Sequence, residues 1–317
     1  MKRTVFTAAL FATTAMAGAV AAQDYPSEEI EVIVGYSAGG GTDVMARTVA
    51  PFLEEYLGNN ATVVVKNMPG ASGQIGVTEV ATAEPDGYTL GTFNLPGMMA
   101  RTLDREADYD ADSFTYLANV VNDPNVIVTP GSSDIDTMEK LVEAASEEPG
   151  AMTVAMSSLG GDDHLFLVKV QEATDTEMTV VPFSGSAPAR TALMGGHVGM
   201  GIINLSEAVN FLDDLNVVGI ASEERSDLAP DVPTLAEQGY EITNGGLRGF
   251  VAPDGLPEEV EQKLLDAFQQ AFDDPEFQEA MISTGNPVRL TLGEEFEELT
   301  QEQLDLATRI WENTPWK

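Results

Sequence analysis

The feature that most constrains this chain is a repeated unit of short β-branched strand, glycine-rich loop and amphipathic helix. Residues 30–34 read Ile-Glu-Val-Ile-Val, and residues 35–43 follow as a loop containing Gly39, Gly40 and Gly41. Met45, Val49, Phe52, Leu53 and Tyr56 then recur at helical spacing, Pro51 is expected to kink the helix, and Gly58 supplies a stop. The unit repeats with a strand at 62–65, a turn Asn67-Met68-Pro69-Gly70, a small-residue loop Ala71-Ser72-Gly73, a helix near 74–83 and a strand at 88–93. Parallel strands need a crossover, and the helices provide it. The order therefore predicts an α/β fold, a mostly parallel sheet flanked by helices.

A second series begins near 125–128. Helices at 137–146, 164–172 and 187–194 alternate with strands at 153–156, 179–181, 198–203 and 217–221, and two acidic helices at 257–272 and 294–311 close the chain. One core stops growing at about 250–300 residues, so two lobes are expected. We expect lobe 1 to comprise 23–124 and 241–317 and lobe 2 to comprise 125–240, with a hinge where the chain crosses twice.

Residues 1–22 read as a secretory signal peptide. Lys2 and Arg3 precede an apolar stretch over 5–16, and Ala19-Val20-Ala21-Ala22 supplies small residues for cleavage near Ala22. The stretch is interrupted by threonines and is shorter than the roughly 20 residues a spanning helix needs. A soluble, exported, periplasmic protein is expected. Cysteine is absent, so stability must come from a core that 43% hydrophobic residues can supply.

The formal charge is -37, from 52 acidic and 15 basic residues, and loss of Lys2 and Arg3 makes it two units more negative. Such a surface repels nucleic acid and anionic membranes. It reads as a solvated acidic coat suited to high salt, where the Debye length contracts to about 3 Å at 1 M.

The two glycine loops share one design. Each leaves the carboxyl end of a strand and opens onto a helix N-terminus, where free N–H groups and the positive helix end favour an anion. Thr42 or Asp43 is placed to cap the first helix. An ordinary tight turn is the competing account of both loops. For a chain this negative, main-chain amides are apt donors, because they carry no net charge.

Other motifs are less complete. Gly35-Tyr36-Ser37-Ala38-Gly39 fits the nucleophile elbow of α/β-hydrolases, with His164 and His197 as the only bases, but the elbow would fall on the first strand of the mature chain. Asp108, Asp110 and Asp112 imitate a calcium loop, yet Ser113 and Asn119 stand where Gly and Glu are needed. No metal site and no cofactor is expected. His164, at a helix start, is either a structural hydrogen-bonder or a ligand contact, and Arg248 either a carboxylate fork or a hinge ion pair.

Together these segments resemble the substrate-binding proteins of tripartite tricarboxylate transporters, the Bug family. The resemblance rests on Tyr25-Pro26, Gly39-Gly40-Gly41-Thr42-Asp43, Asn67-Met68-Pro69-Gly70-Ala71-Ser72-Gly73 and Pro85-Asp86-Gly87-Tyr88-Thr89-Leu90. Further along it includes Asp162-Asp163-His164-Leu165, Leu193-Met194-Gly195-Gly196-His197-Val198 and Arg248-Gly249-Phe250-Val251-Ala252-Pro253. It implies a two-lobed periplasmic binding protein fold, type II-like, closing as a flytrap over an organic carboxylate. The implied contacts are Tyr36, Gly40, Gly41, Thr42 and Asp43 from one loop and Gly70, Ala71, Ser72 and Gly73 from the other. Ser158, His164, Ser184, Gly185 and Asn204 would face them. Many relatives carry Lys at the position of Ser184 and Asp at that of Gly199, so a ligand without an ammonium group is expected. The expected role is monomeric capture of a citrate-like di- or tricarboxylate for membrane transporter subunits, without enzymatic activity. A sensor component presenting the ligand to a receptor, or an exported serine hydrolase using Ser37, are the alternatives.

Overall fold

The computed structural model describes residues 25–157, 159–183 and 186–316. The expected signal peptide lies outside the described residues. Strand β1 (Ile30–Val34) lies between two parallel partners, β2 (Val63–Asn67) and β3 (Thr89–Leu95). Covered on both faces, it is apolar along almost its whole length. β2 is the edge strand; its burial alternates, and Lys66 reaches Glu31 at 3.1 Å across the exposed surface. Helix α1 (Gly41–Leu57) buries Met45, Val49 and Leu53 and ends at Gly58, whose φ is 67°. It continues through Pro51 to Leu57. Helices α2 (Gln74–Ala81) and α3 (Gly97–Asp104) follow β2 and β3.

The long strand β4 (Phe114–Pro130) connects the two halves. Its first part pairs antiparallel with β9 (Gly245–Pro253) down to Pro124 opposite Gly245, and with β10 (Val288–Leu292). From Asn125 onward it pairs instead with β7 (Met200–Asn204) and, from Val126, with β8 (Leu215–Ile220). The chain passes from one sheet to the other inside a continuous strand at 124–125. It returns beside that point, where the Asn125 N–H donates to the Asn244 carbonyl at 3.0 Å. No linker separates the halves.

In the second sheet, β5 (Thr153–Met156) lies parallel between β6 (Thr179–Pro182) and β7. Helices α4 (Met138–Glu147), α5 (Asp162–Thr174) and α6 (Ser186–Met194) belong to this half, whose core includes Leu141, Val154, Phe166 and Met200. A short helix α7 (Leu205–Ala208) follows β7. Parallel pairing thus joins β1 to β2 and β3 and β5 to β6 and β7, whereas every pairing of β4 and β9 is antiparallel.

The C-terminal helices pack on the first sheet. Val260, Leu264 and Phe268 of α8 (Glu258–Asp273) join Met45 and Leu53 in one core, and Phe277 of α9 (Pro275–Ser283) meets Phe52 edge-on at 5.2 Å. The last helix, α10 (Gly293–Asn313), places Phe296 beside Tyr116. Asp110 caps the turn Ala111–Ser113 reciprocally with the Ser113 hydroxyl, an ordinary use for that acidic loop. No helix of the described residues is long and apolar enough to cross a membrane, and no cluster of three acidic or histidine side chains among them could hold a metal.

Candidate functional site

The two glycine loops interlock. A Cβ on Gly35 would fall 2.8 Å from the Gly73 carbonyl oxygen, and one on Gly76 would fall 2.8 Å from the Gly35 Cα, so only glycine allows this approach. In the first loop the Asp43 carboxylate is fully occupied. One oxygen accepts the Gly39 N–H at 2.8 Å; the other accepts Arg47 Nε at 3.0 Å and Asn67 Nδ2 at 2.8 Å. Burial pushes the Asp43 pKa up, but the donors from Arg47, Gly39 and Asn67 outweigh it and hold the carboxyl below its ordinary range.

The capping expectation needs correction. The cap residue is Gly40, with no side-chain acceptor, because the Thr42 hydroxyl is engaged by the Asn94 amide at 2.8 Å and Asp43 reaches back to Gly39. The N–H groups of Gly41, Thr42 and Asp43 therefore carry no acceptor among the described residues, and Gly40 and Gly41 are exposed. The second loop is bent through four successive positive φ angles: Gly70 145°, Ala71 46°, Ser72 57° and Gly73 100°. For Ala71 and Ser72 this costs on the order of 1–2 kcal/mol each. Their N–H groups also lack acceptors among the described residues, and both residues are exposed.

Below the loops lies a polar floor. The Tyr36 ring covers Gly73, its hydroxyl 3.2 Å from where a Cβ would sit. Arg248, on β9, points at the start of α1: a Cβ on Gly41 would lie 3.5 Å from its guanidinium carbon. One guanidinium nitrogen, Nη2, pairs with Asp123 at 3.0 Å, and a second, Nη1, is buried without a partner among the described residues. Burial raises the Asp123 pKa, although Arg248 and donors from Ser206 oppose it. The Asp162 carboxylate accepts the amides of Asn125 at 2.8 Å and Asn204 at 2.9 Å. The Tyr36 phenol is pushed up by burial, with Arg101 and Arg248 opposing and Asp162 adding to the rise.

The structure treats the sequence-predicted residues unevenly. Tyr36, Gly40, Gly41, Thr42, Gly70, Ala71, Ser72, Gly73 and Arg248 converge on the interlocked loops and their floor. The Asp43 carboxylate is committed to holding its loop, which leaves only its main-chain N–H to offer. Asn204 Nδ2 is likewise shared between Asp162 and the Asp123 carbonyl. His164 accepts the Gly160 N–H at Nδ1, 3.1 Å, and meets Trp316 edge-on at 5.5 Å. Burial lowers its pKa to about 4, so the ring is held neutral with Nδ1 engaged by Gly160. Ser158, Ser184 and Gly185 lie outside the described residues. Ser37 is exposed, and neither histidine is hydrogen-bonded to it.

Sequence reasoning missed Asn94, Arg101, Asp123, Asp162 and Glu207. The available signal was Arg101 itself, a scarce cation directly after Met98-Met99-Ala100 on a short helix. A hollow of about 820 Å³ lies elsewhere, lined by Lys169 and Arg289 but also by Glu223, Glu224, Glu295, Glu298 and Glu302. That many carboxylates disfavour an anion, so donor chemistry, not volume, locates the candidate site at the loops.

Comparison with known proteins agrees with this architecture. The profile of the tripartite tricarboxylate transporter family receptor matches residues 45–314. The protein BugT of Bordetella pertussis is 32% identical over 280 residues, covering 86% of this chain and 85% of BugT. Among solved structures, a TctC solute binding protein from Polaromonas superposes with a TM-score of 0.77 at 27% identity, over 91% of this chain and 99% of that one. MatC from Rhodopseudomonas palustris, with bound malate, gives 0.75 at 26% identity, over 90% and 99%. A second R. palustris protein, with adipate, gives 0.77 at 26%, over 92% and 97%. The α/β chain with its two glycine-lined helix starts therefore belongs to the tripartite tricarboxylate transporter receptor family, whose members are periplasmic solute-binding proteins.

Proposed function

We propose that this protein captures a small organic di- or tricarboxylate between two lobes, 23–124 with 241–317 and 125–240, and delivers it to the membrane subunits of a tripartite tricarboxylate transporter. The observation that carries this reading is the pair of exposed loops whose N–H groups, at Gly41, Thr42, Asp43, Ala71 and Ser72, lack acceptors among the described residues. Uncharged dipoles suit an anion inside a chain of net charge -37. Malate and adipate in two related structures support a carboxylate as ligand. Contact of one ligand with both halves would favour a closed arrangement about the crossing at 124–125.

A thermal-shift screen of mono-, di- and tricarboxylates tests this. A ligand at 100 times its dissociation constant adds about 2.7 kcal/mol of stability. Stabilisation by apolar or cationic solutes, with none by carboxylates, would refute the reading. Ester turnover should be absent both before and after Ser37→Ala; turnover abolished by that substitution would favour a hydrolase.

A further inference from the structure

Six buried side-chain polar atoms lack a hydrogen-bond partner among the described residues; three of them, Asn94 Oδ1, Arg101 Nε and Arg248 Nη1, belong to the floor beneath the glycine loops, and a fourth, Glu207 Oε2 on α7, lies near Arg248 from the second half. Folded proteins rarely leave such atoms idle, so their concentration in one place points to a missing partner. Their adjacency is fixed by the backbone. Asn94 is opposite Arg248 in the β3–β9 register and binds Thr42 on the first turn of α1. Arg101 stands one turn into α3, its Nη2 4.0 Å from where a Gly97 Cβ would lie, and the Tyr36 phenol feels both arginines.

The two donors among these atoms are cations more than nine-tenths buried, with Arg101 7% and Arg248 8% exposed. Arg101 forms no ion pair among the described residues, and Arg248 uses one nitrogen on Asp123. A buried cation without a counter-charge is costly, and Arg101 has none among the described residues, while Arg248 keeps a buried nitrogen to spare beside its Asp123 pair, so both point to an anion not yet present. A carboxylate on the loop amides is already satisfied by neutral dipoles and leaves both arginines free.

We propose that Arg101 Nε and Arg248 Nη1 form a second acid-group subsite, so that the ligand is a dicarboxylate with one carboxylate on the loop amides and the other on these two guanidinium groups. This rests on the carboxylate-binding reading above and adds Arg101 as a specificity-determining residue. Asp162 and Glu207 stand on elements of the second half and repel an acid group from that side, which directs the second carboxylate toward α3 and β9.

The test is calorimetric titration of the purified exported protein with succinate and adipate, each against its monomethyl ester, which keeps the length and removes one charge. The intact protein should bind the diacid at least about ten-fold more tightly. Arg101→Gln should weaken diacid binding by about ten- to hundred-fold, the range of a charge-assisted hydrogen bond, and narrow the ratio of diacid to half-ester affinity. Arg101 is the better target, because Arg248→Gln would strand Asp123. Half-ester and diacid binding equally well to the intact protein would overturn the proposal without any variant, while leaving carboxylate capture standing. Arg101→Gln retaining the diacid preference would also overturn it. Binding of neither compound nor of any other carboxylate would remove the underlying reading as well.

Discussion

Replacing Gly41 with alanine should move stability and affinity in opposite directions. Gly41 is exposed on the first turn of α1, and its φ is not positive, so alanine fits the backbone. The new Cβ would meet the Arg248 guanidinium at 3.5 Å, an ordinary contact. By restricting the unfolded chain, the substitution should raise the stability of the ligand-free protein by about 0.4–1 kcal/mol. The same methyl group takes up the space through which an acid oxygen would approach the Gly41 N–H. Loss of one charge-assisted hydrogen bond, about 2 kcal/mol, weakens binding roughly 30-fold. At a ligand concentration 100 times the original dissociation constant, ligand-induced stabilisation should fall from about 2.7 to about 0.9 kcal/mol. Thermal unfolding with and without ligand reads both quantities in one experiment. A ligand-induced shift equal to that of the unaltered protein would refute the placement of the site, and a loss of ligand-free stability would refute the reasoning about the α1 turn.

Two further outcomes follow from the hydrogen bonds. Asp43→Asn should cost about 1–3 kcal/mol at pH 7, since a buried carboxylate with three donors is neutralised; because the folded pKa is depressed, the difference from the unaltered protein should shrink as pH falls below about 4, measured by urea unfolding. His164 is held neutral, with its pKa lowered from 6.5 to about 4, so its contribution is complete above the unfolded pKa and is lost as pH falls between those values. Neighbouring Asp163 has the opposite sign, its pKa raised chiefly by burial, so the His164 term is isolated as the difference between the protein and His164→Gln at pH 7 and pH 4.5. That difference should narrow by up to about 3 kcal/mol on acidification, and a constant difference would disprove the neutral assignment.

Local elements were readable because their causes are local. β1 and β5 occupy the predicted residues 30–34 and 153–156, and α8 and α10 start within one residue of expectation, since apolar spacing, helix stops and turn residues act over a few positions. The glycine loops were legible for the same reason. The long strand β4, by contrast, was not legible: it begins at Phe114 and exchanges partners at 124–125, and an uninterrupted β-rich run gives no sign of such an exchange. Competition for hydrogen bonds was also invisible: Thr42 and Asp43 looked like caps until Asn94 and Gly39 claimed them.

Sequence alone determined the alternation of strands and helices, the acid-rich surface and the uncharged, glycine-lined helix starts, all consequences of neighbouring residues. Tertiary structure decided which scarce cations turn inward. Arg248, on β9, meets an aspartate 125 positions away, and Arg101 reaches the same floor from helix α3. Pairings over such separations are selected by the burial and charge balance of the assembled core, quantities that no short window of sequence contains.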